Sequence, residues 1–380
     1  MAADERWIGR AEALERLGVK TQTLYAYVSR GRIAARPDPE DPRRSLYAEV
    51  DIRRLSDGAL PFGDAPRAPP QGAASRGEAD LHNSLSLVAE GRLFYRGRDA
   101  AELSREMSVE EAARLLWDGP ARDPFALLRP RVDVAPGPSV RARVFAALAR
   151  RAEEDRSSLG RAPEDLKAEA ASLLNETIDT VAGPGPRLFL HQRLGRGWKV
   201  VEKDAHLIRR ALVLSADGAP TPPVLAARTA VAGGAPLAGA ALAGLTTLTG
   251  ARLFQAVWEA SEWVTLVRLE PRRLASDPPV FADPDWPGED PRAQALMAFA
   301  DLPPDLLRVL EASGGRAAFP LALALVARRL DLPRTGACDL LLLGRLVGLI
   351  GHALDQAIDG SPIRARLRYV GPEPRRAPGV

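Results

Sequence analysis

Residues 321–358 read LALALVARRLDLPRTGACDLLLLGRLVGLIGHALDQAI. The runs 321–330 and 337–358 are apolar on every side at helical length, and Pro333 and Gly336 fall between them. A helix that is apolar all round belongs inside a large packed unit, and Pro and Gly mark where helices stop. Working outward, the same signal recurs at 207–214, 223–231, 237–248, 292–299 and 306–312, again with Gly or Pro between runs. Ser108-Val-Glu-Glu111 has the spacing of a capping box ahead of Ala112, Leu115 and Leu116. Only residues 84–96 break the helical pattern: two short apolar runs flank Glu90-Gly91, which predicts a β-hairpin. The fold expected is mostly α, with many packed helices.

Residues 58–80 are rich in Pro, Gly and Ala without apolar periodicity, and read as a linker. They divide a short unit, 1–57, from a long one, 81–375. In the short unit, 11–17 is an amphipathic helix with Leu14 and Leu17 inward, and Gly18 suits its C-terminal cap. Thr21 is positioned to cap a second helix, 22–29, with Leu24 and Val28 inward. Arg30-Gly31-Arg32-Ile33 opens a hairpin-like wing to which Arg43, Arg44 and Tyr47 return, and a third helix begins at Asp51. This order resembles the excisionase/MerR-type winged helix-turn-helix. The resemblance implies that the second helix enters the major groove with Lys20, Thr21, Gln22, Tyr25 and Tyr27 available, while Arg30, Arg32, Arg43 and Arg44 meet phosphates.

Over 380 residues the formal charge is only +3, so composition does not demand a nucleic-acid partner. Four of the 52 basic residues are lysines, and in so arginine-rich a chain a single arginine is most often a solvated surface group. One cysteine, Cys338, excludes an internal disulfide and a cysteine-based zinc site. Neither a metal-ligand cluster nor a glycine-rich phosphate loop stands out. Uninterrupted apolar residues do not reach the roughly 20 needed to cross a bilayer; the longest run, 340–350, is broken by Arg345. The N-terminus lacks a signal-peptide pattern. A soluble cytoplasmic protein without a membrane partner is expected.

The long unit resembles the citrate synthases. The phrases that carry the resemblance are SLVAEGRLFYRGRDAAEL at 86–103, SVEEAARLLWDG at 108–119, Leu214-Ser-Ala-Asp217, Asp290-Pro-Arg-Ala293, LGRLVGLIGHALDQ at 343–356 and PIRARLRYVGP at 362–372. They occur in the family's order and span nearly the whole unit. The resemblance implies a nearly all-α fold, a large and a small domain (the latter roughly 255–335), an obligate dimer and an active site in the cleft between the domains. Citrate synthase chemistry needs a carboxylate base, a histidine on the enol, a histidine on the oxaloacetate carbonyl, and arginines on the carboxylates.

Carried over position by position, those groups are largely missing. The two histidines of the family's His-x-Asp-His segment fall on Ser215 and Gly218. The enol-stabilising histidine falls on Leu253, in an expected loop at 250–255. A further histidine falls on Asp283, and the catalytic aspartate on Pro320. The four histidines, His82, His191, His206 and His352, lie outside the catalytic segments, and His352 is assigned a structural role. The anion-binding arginines are retained as Arg292, Arg345 and Arg364, the last reaching the other subunit's site in the family; they serve either as a surviving di- or tricarboxylate site or as structural ion pairs.

Three readings follow. One is a pseudoenzyme regulator: a citrate-synthase-like dimer that responds to a small di- or tricarboxylate and carries two DNA-binding modules. Another is an acyltransferase of the family, condensing acetyl-CoA with oxaloacetate as in the tricarboxylic acid cycle; acetyl-CoA would be a substrate there, and no cofactor is expected in any reading. The third is a non-catalytic subunit in a heterodimer with an intact citrate synthase chain.

Overall fold

The computed structural model describes residues 6–19, 21–29, 33–38, 41, 44–56, 81–119, 123–126, 128, 137–183, 188–218, 222–269, 281, 283, 286, 290–315 and 317–363. They fall into two compact units, one within Met1–Ala79 and one within Asp80–Arg364.

The first unit has the order β1 (Trp7–Gly9), α1 (Arg10–Leu17), α2 (Thr21–Ser29), β2 (Ala35–Pro37), β3 (Ser45–Ala48) and α3 (Glu49–Ser56). Its sheet is antiparallel with β3 in the centre. Gly18 ends α1 at φ 63°, a left-handed conformation that glycine adopts without strain, and donates to the Leu14 and Glu15 carbonyls. Ile8, Ala13, Leu24, Ile33, Tyr47 and Ile52 form a small core of their own. Thr21, expected as a cap, is the first helical residue of α2 instead.

The second unit opens with β4 (Ser86–Ala89), β5 (Arg92–Tyr95) and β6 (Arg98–Asp99). Glu90 and Gly91 both have positive φ (51° and 70°), which matches the twist of the strands they join. Next come α4 (Ala100–Leu103), α5 (Val109–Leu116), α6 (Val140–Glu154), α7 (Pro163–Ala182) and α8 (Leu190–Gly197). The capping box forms at α5: Ser108 Oγ accepts from Glu111 N at 3.1 Å, and Glu111 Oε2 accepts from Ser108 N at 2.8 Å. No element was anticipated at α6, α7 or α8. In α7 the buried face uses Ala170, Ala171, Thr177 and Thr180, whose hydroxyls donate to carbonyls four residues back, so the large apolar periodicity is diluted.

The chain continues through α9 (Ala205–Ser215), α10 (Pro222–Ala232), α11 (Leu237–Thr249), α12 (Arg252–Leu269), α13 (Pro291–Met297), α14 (Pro304–Ala312), α15 (Phe319–Arg329) and α16 (Gly336–Asp359). Helix α16 is the axis of the unit and packs against α7, α9, α10, α11 and α15. By length and composition it could cross a membrane, contrary to the expectation that no segment would qualify, yet its most apolar stretch is wholly buried within the unit. Arg345 does not break that stretch, because the fold provides a buried carboxylate beside it. The residues expected as a small subdomain contribute α12, α13, α14 and α15; α12 packs on α14 and α15, and α13 packs on α15 as well as on α4 and α9.

Candidate functional site

Two glycines one turn apart let the end of α9 dock onto α16 at backbone distance. A Cβ on Gly344 would stand 2.5 Å from Ser215 Cβ, and one on Gly348 would stand 2.3 Å from the Ala216 carbonyl oxygen. The Gly348 N–H donates to that carbonyl at 2.9 Å. This contact places Asp217, fully buried, against Arg345 and His352 of α16.

Asp217 Oδ2 accepts from Ser86 Oγ at 2.7 Å and pairs with His352 Nε2 at 3.0 Å. Its Oδ1 has only Arg345 Nη1, at 3.9 Å, among the described residues. Burial drives the Asp217 carboxyl pKa upward, but His352, Arg345 and Ser86 outweigh it and hold the group below the ordinary carboxylate range. Tyr95 completes the cluster. Its hydroxyl donates to the Val213 carbonyl at 2.9 Å and accepts the Asp217 N–H at 3.2 Å, and burial pushes the phenol well above its usual range. Ser86 and Tyr95 lie directly opposite each other in the hairpin register, which aims both at Asp217.

Arg345 is 3% exposed, and its Nε has no hydrogen-bond partner among the described residues. The guanidinium lies along Gly218, where a Cβ would come within 2.7 Å of Nη1. A buried guanidinium with an unused donor and one loose counter-ion has the chemistry of an anion site.

Arg292 is placed differently. It opens α13, where Asp290 caps the helix and accepts from Arg292 N at 3.0 Å. Asp290 also takes Nε at 3.0 Å, and Asp283 Oδ2 takes Nη2 at 2.6 Å. The rings of Trp286 and Phe319 lie 4.3 and 4.4 Å from the guanidinium carbon. Burial disfavours the charge, but Asp290 and then Asp283 outweigh it and raise the Arg292 pKa. Arg292 is thus held in a buried ion-paired cluster with two internal carboxylates.

The other positions singled out in the sequence are structural in their surroundings. Leu253 is in the first turn of α12, not in a loop, and packs in the main core at 7% exposure. The cause is that only Gly250 and Ala251 separate α11 from α12. Pro320 is buried in the first turn of α15, where its missing N–H costs nothing. Ser215 is buried, and its Oγ has no hydrogen-bond partner among the described residues. Arg364 lies outside the described residues.

In the first unit, Lys20, Arg30, Arg32 and Arg43, and the side chain of Gln22, also lie outside the described residues. Tyr25 is 48% exposed on α2 and its hydroxyl accepts from Arg10 Nη1 at 3.3 Å. Tyr27, expected to be equally available, packs against the small core. The Arg44 side chain is exposed, with Asp41 Oδ2 at 3.2 Å. Thr21 is half-buried. Sequence reasoning missed Ser86 and Tyr95 as site residues. Their signal, a polar hydroxyl pair in a hairpin that otherwise alternates apolar, is faint without knowing what the hairpin faces.

Three solved structures of similar fold are citrate synthases. That of Thermotoga maritima superposes with a TM-score of 0.55 at 18% identity, covering 81% of this chain and 97% of that one. The enzyme of Thermoplasma acidophilum, solved as a ternary complex with carboxymethyl coenzyme A and oxaloacetate, gives 0.60 at 16% identity over 79% and 96% of the two chains. That of Pyrobaculum aerophilum gives 0.56 at 18% identity over 79% and 92%. The chain thus has a mostly helical, citrate-synthase-like fold. No family model matches it, and no curated protein matches it in sequence.

Proposed function

We propose that this chain is a DNA-binding regulator whose helical unit has lost citrate synthase chemistry and binds a small carboxylate at Arg345. One observation carries the loss of chemistry: the positions aligned with catalytic groups hold side chains committed to packing or pairing. Leu253 and Pro320 are buried in helices, and Asp283 is tied to Arg292. Gly218 has no side chain with which to polarise a carbonyl. A general acid or base contributes about 10²–10⁴-fold, so the loss of several leaves little turnover. The unused Nε of Arg345 supports the ligand site, and the strand, helix and exposed-residue pattern of the first unit supports a winged helix-turn-helix. A homodimer would present two such modules to a palindromic site, and a cytoplasmic location suits that role.

The test uses the full chain. It should give no citrate from acetyl-CoA and oxaloacetate, and should retard DNA with a log K against log salt slope of about −0.9 per phosphate neutralised. Succinate or oxaloacetate should raise its melting temperature, and Arg345→Met should remove that response. Turnover by the pure chain, or a succinate or oxaloacetate response that survives Arg345→Met, would overturn the reading.

A further inference from the structure

A second arginine cluster lies away from the Asp217 site. Arg209 and Arg210 are adjacent on α9, and both face the segment that follows α4. Arg209 makes three hydrogen bonds: Nη1 donates to the Ser104 and Met107 carbonyls at 3.0 and 2.9 Å, and Nη2 to the Arg105 carbonyl at 2.6 Å. Arg210 is 5% exposed, and among the described residues it makes one hydrogen bond, Nη2 to the Arg105 carbonyl at 3.2 Å. Its Nε and Nη1 are buried without a partner.

Nor, among the described residues, is its charge met by an acid. The carboxylates around it serve other arginines: Glu102 pairs with Arg105 at 3.2 Å, and Asp99 with Arg92 at 2.6 Å. Burial, then Arg209, then Arg105 press the Arg210 pKa down to about 10, all three acting against the cation. A buried guanidinium in this setting is stabilised by any anion that reaches it.

Arg210 lines a cavity of about 380 Å³ between α4, α9 and α13. Among the described residues Arg92, Arg105 and Arg210 face it against the single acid Glu102, so that part of the wall carries net positive charge. The remaining wall is mostly apolar, from Ala101, Pro291, Ala295, Ala298 and Phe299. A volume in the range of small-molecule pockets is far larger than a bare inorganic anion needs, since water occupies only about 30 Å³. The Phe299 ring covers the guanidinium, its centroid 3.5 Å from Arg210 Cζ. That ring is 45% exposed and lies beyond the end of α13, so it can rotate away without unpacking the core.

We infer that this cavity is a binding site for an organic oxyanion, a carboxylate or phosphate on a compact apolar body, with Arg210 holding the oxyanion and Phe299 flanking the body. The site is independent of the carboxylate site proposed at Arg345.

Thermal shift and calorimetry on the full chain test it with benzoate, phenyl phosphate and inorganic phosphate. Benzoate or phenyl phosphate should bind saturably to wild type and to Arg345→Met, and inorganic phosphate more weakly. Arg210→Met should lower affinity by about tenfold or more, the loss expected of a charge-assisted hydrogen bond. Ala295→Glu, which supplies an internal carboxylate, should do the same. Both variants should melt at or above the wild-type temperature without ligand, because Arg210→Met removes the uncompensated charge and Ala295→Glu pairs it. The inference is overturned by the absence of saturable binding of any probe, by equal affinity in Arg210→Met, or by marked destabilisation of both variants. Inorganic phosphate binding as tightly as phenyl phosphate would overturn the apolar part of the site.

Discussion

At the scale of single residues, Arg292 and Arg345 are both buried arginines, but their neighbours give them different tasks. Arg292 satisfies two buried carboxylates and is sandwiched by two rings. Arg292→Met should therefore destabilise the unit by about 3–5 kcal/mol, read by urea unfolding, because Asp283 and Asp290 are left buried together. Adding Asp283→Asn should recover part of the loss. A cost below about 1 kcal/mol, in the range of exposed pairs, would show that the triad does not hold the fold. Glu110 gives a pH-dependent case. Its Oε1 accepts from Leu190 N at 2.7 Å, and its Oε2 is buried without a hydrogen-bond partner among the described residues. Burial raises its pKa to about 7 from an ordinary 4.5; the Leu190 N–H and Arg193 oppose the shift and Asp123 adds to it. The folded chain then holds a proton that the unfolded chain releases, so stability falls as pH rises from about 4.5 to about 7 and is flat above. Glu110→Gln should remove this limb and be more stable than wild type at pH 8. Neighbouring His191, pushed down to about 4 by burial and by Arg209 and His206, acts oppositely, losing stability as pH falls from 6.5. The difference between the two pH curves isolates Glu110, and no difference would refute the assignment.

At the scale of elements, the crossing of α9 over α16 decides whether the Asp217 site exists. Helix contacts of this closeness exclude even one methyl group, since a packed interior cannot absorb it. Gly348→Ala would drive a Cβ into the Ala216 carbonyl and Asp217 Oδ1, and weaken the Gly348–Ala216 hydrogen bond. We expect a loss of about 3 kcal/mol or more by urea unfolding, whereas an ordinary alanine substitution for a helical glycine is stabilising. A neutral or stabilising result would mean that the helices do not meet there. The same elements show what was legible in the sequence. Runs apolar on all sides, such as 321–330 and 337–358, could be read as buried helices, because burial on every face leaves no other pattern. The capping box at Ser108 and the hairpin turn at Glu90-Gly91 are local and were legible for that reason. Helices α6 to α8 bury charged side chains along with their aliphatics, Arg151 in α6, Glu176 and Asp179 in α7 and Arg193 in α8, and a helix so rich in charge looks from its sequence like a solvated one.

At the scale of the whole molecule, the two units have separate cores with no residue in common. Calorimetry should resolve two transitions, with Ile52→Ala lowering one and Leu346→Ala the other. A single transition shifted by either substitution would show one cooperative body. The sequence by itself determined the mostly helical class, the position of the helix that becomes the axis of the large unit, and the division near residues 58–80. It also carries the proposal that catalytic histidines are missing, because the positions of the four histidines are read without coordinates. Tertiary structure alone decided which charges the arginines singled out in the sequence face. Arg292 and Arg345 look alike as letters in a chain rich in arginine. One is neutralised by carboxylates two and nine positions away in sequence. The other meets, among the described residues, a single carboxylate from a different helix end, loosely, with a donor to spare. The physical reason is that an arginine's role depends on which charges lie within a few ångströms once water is excluded, and that neighbourhood is assembled from α9, α13, α16 and the hairpin only when they pack.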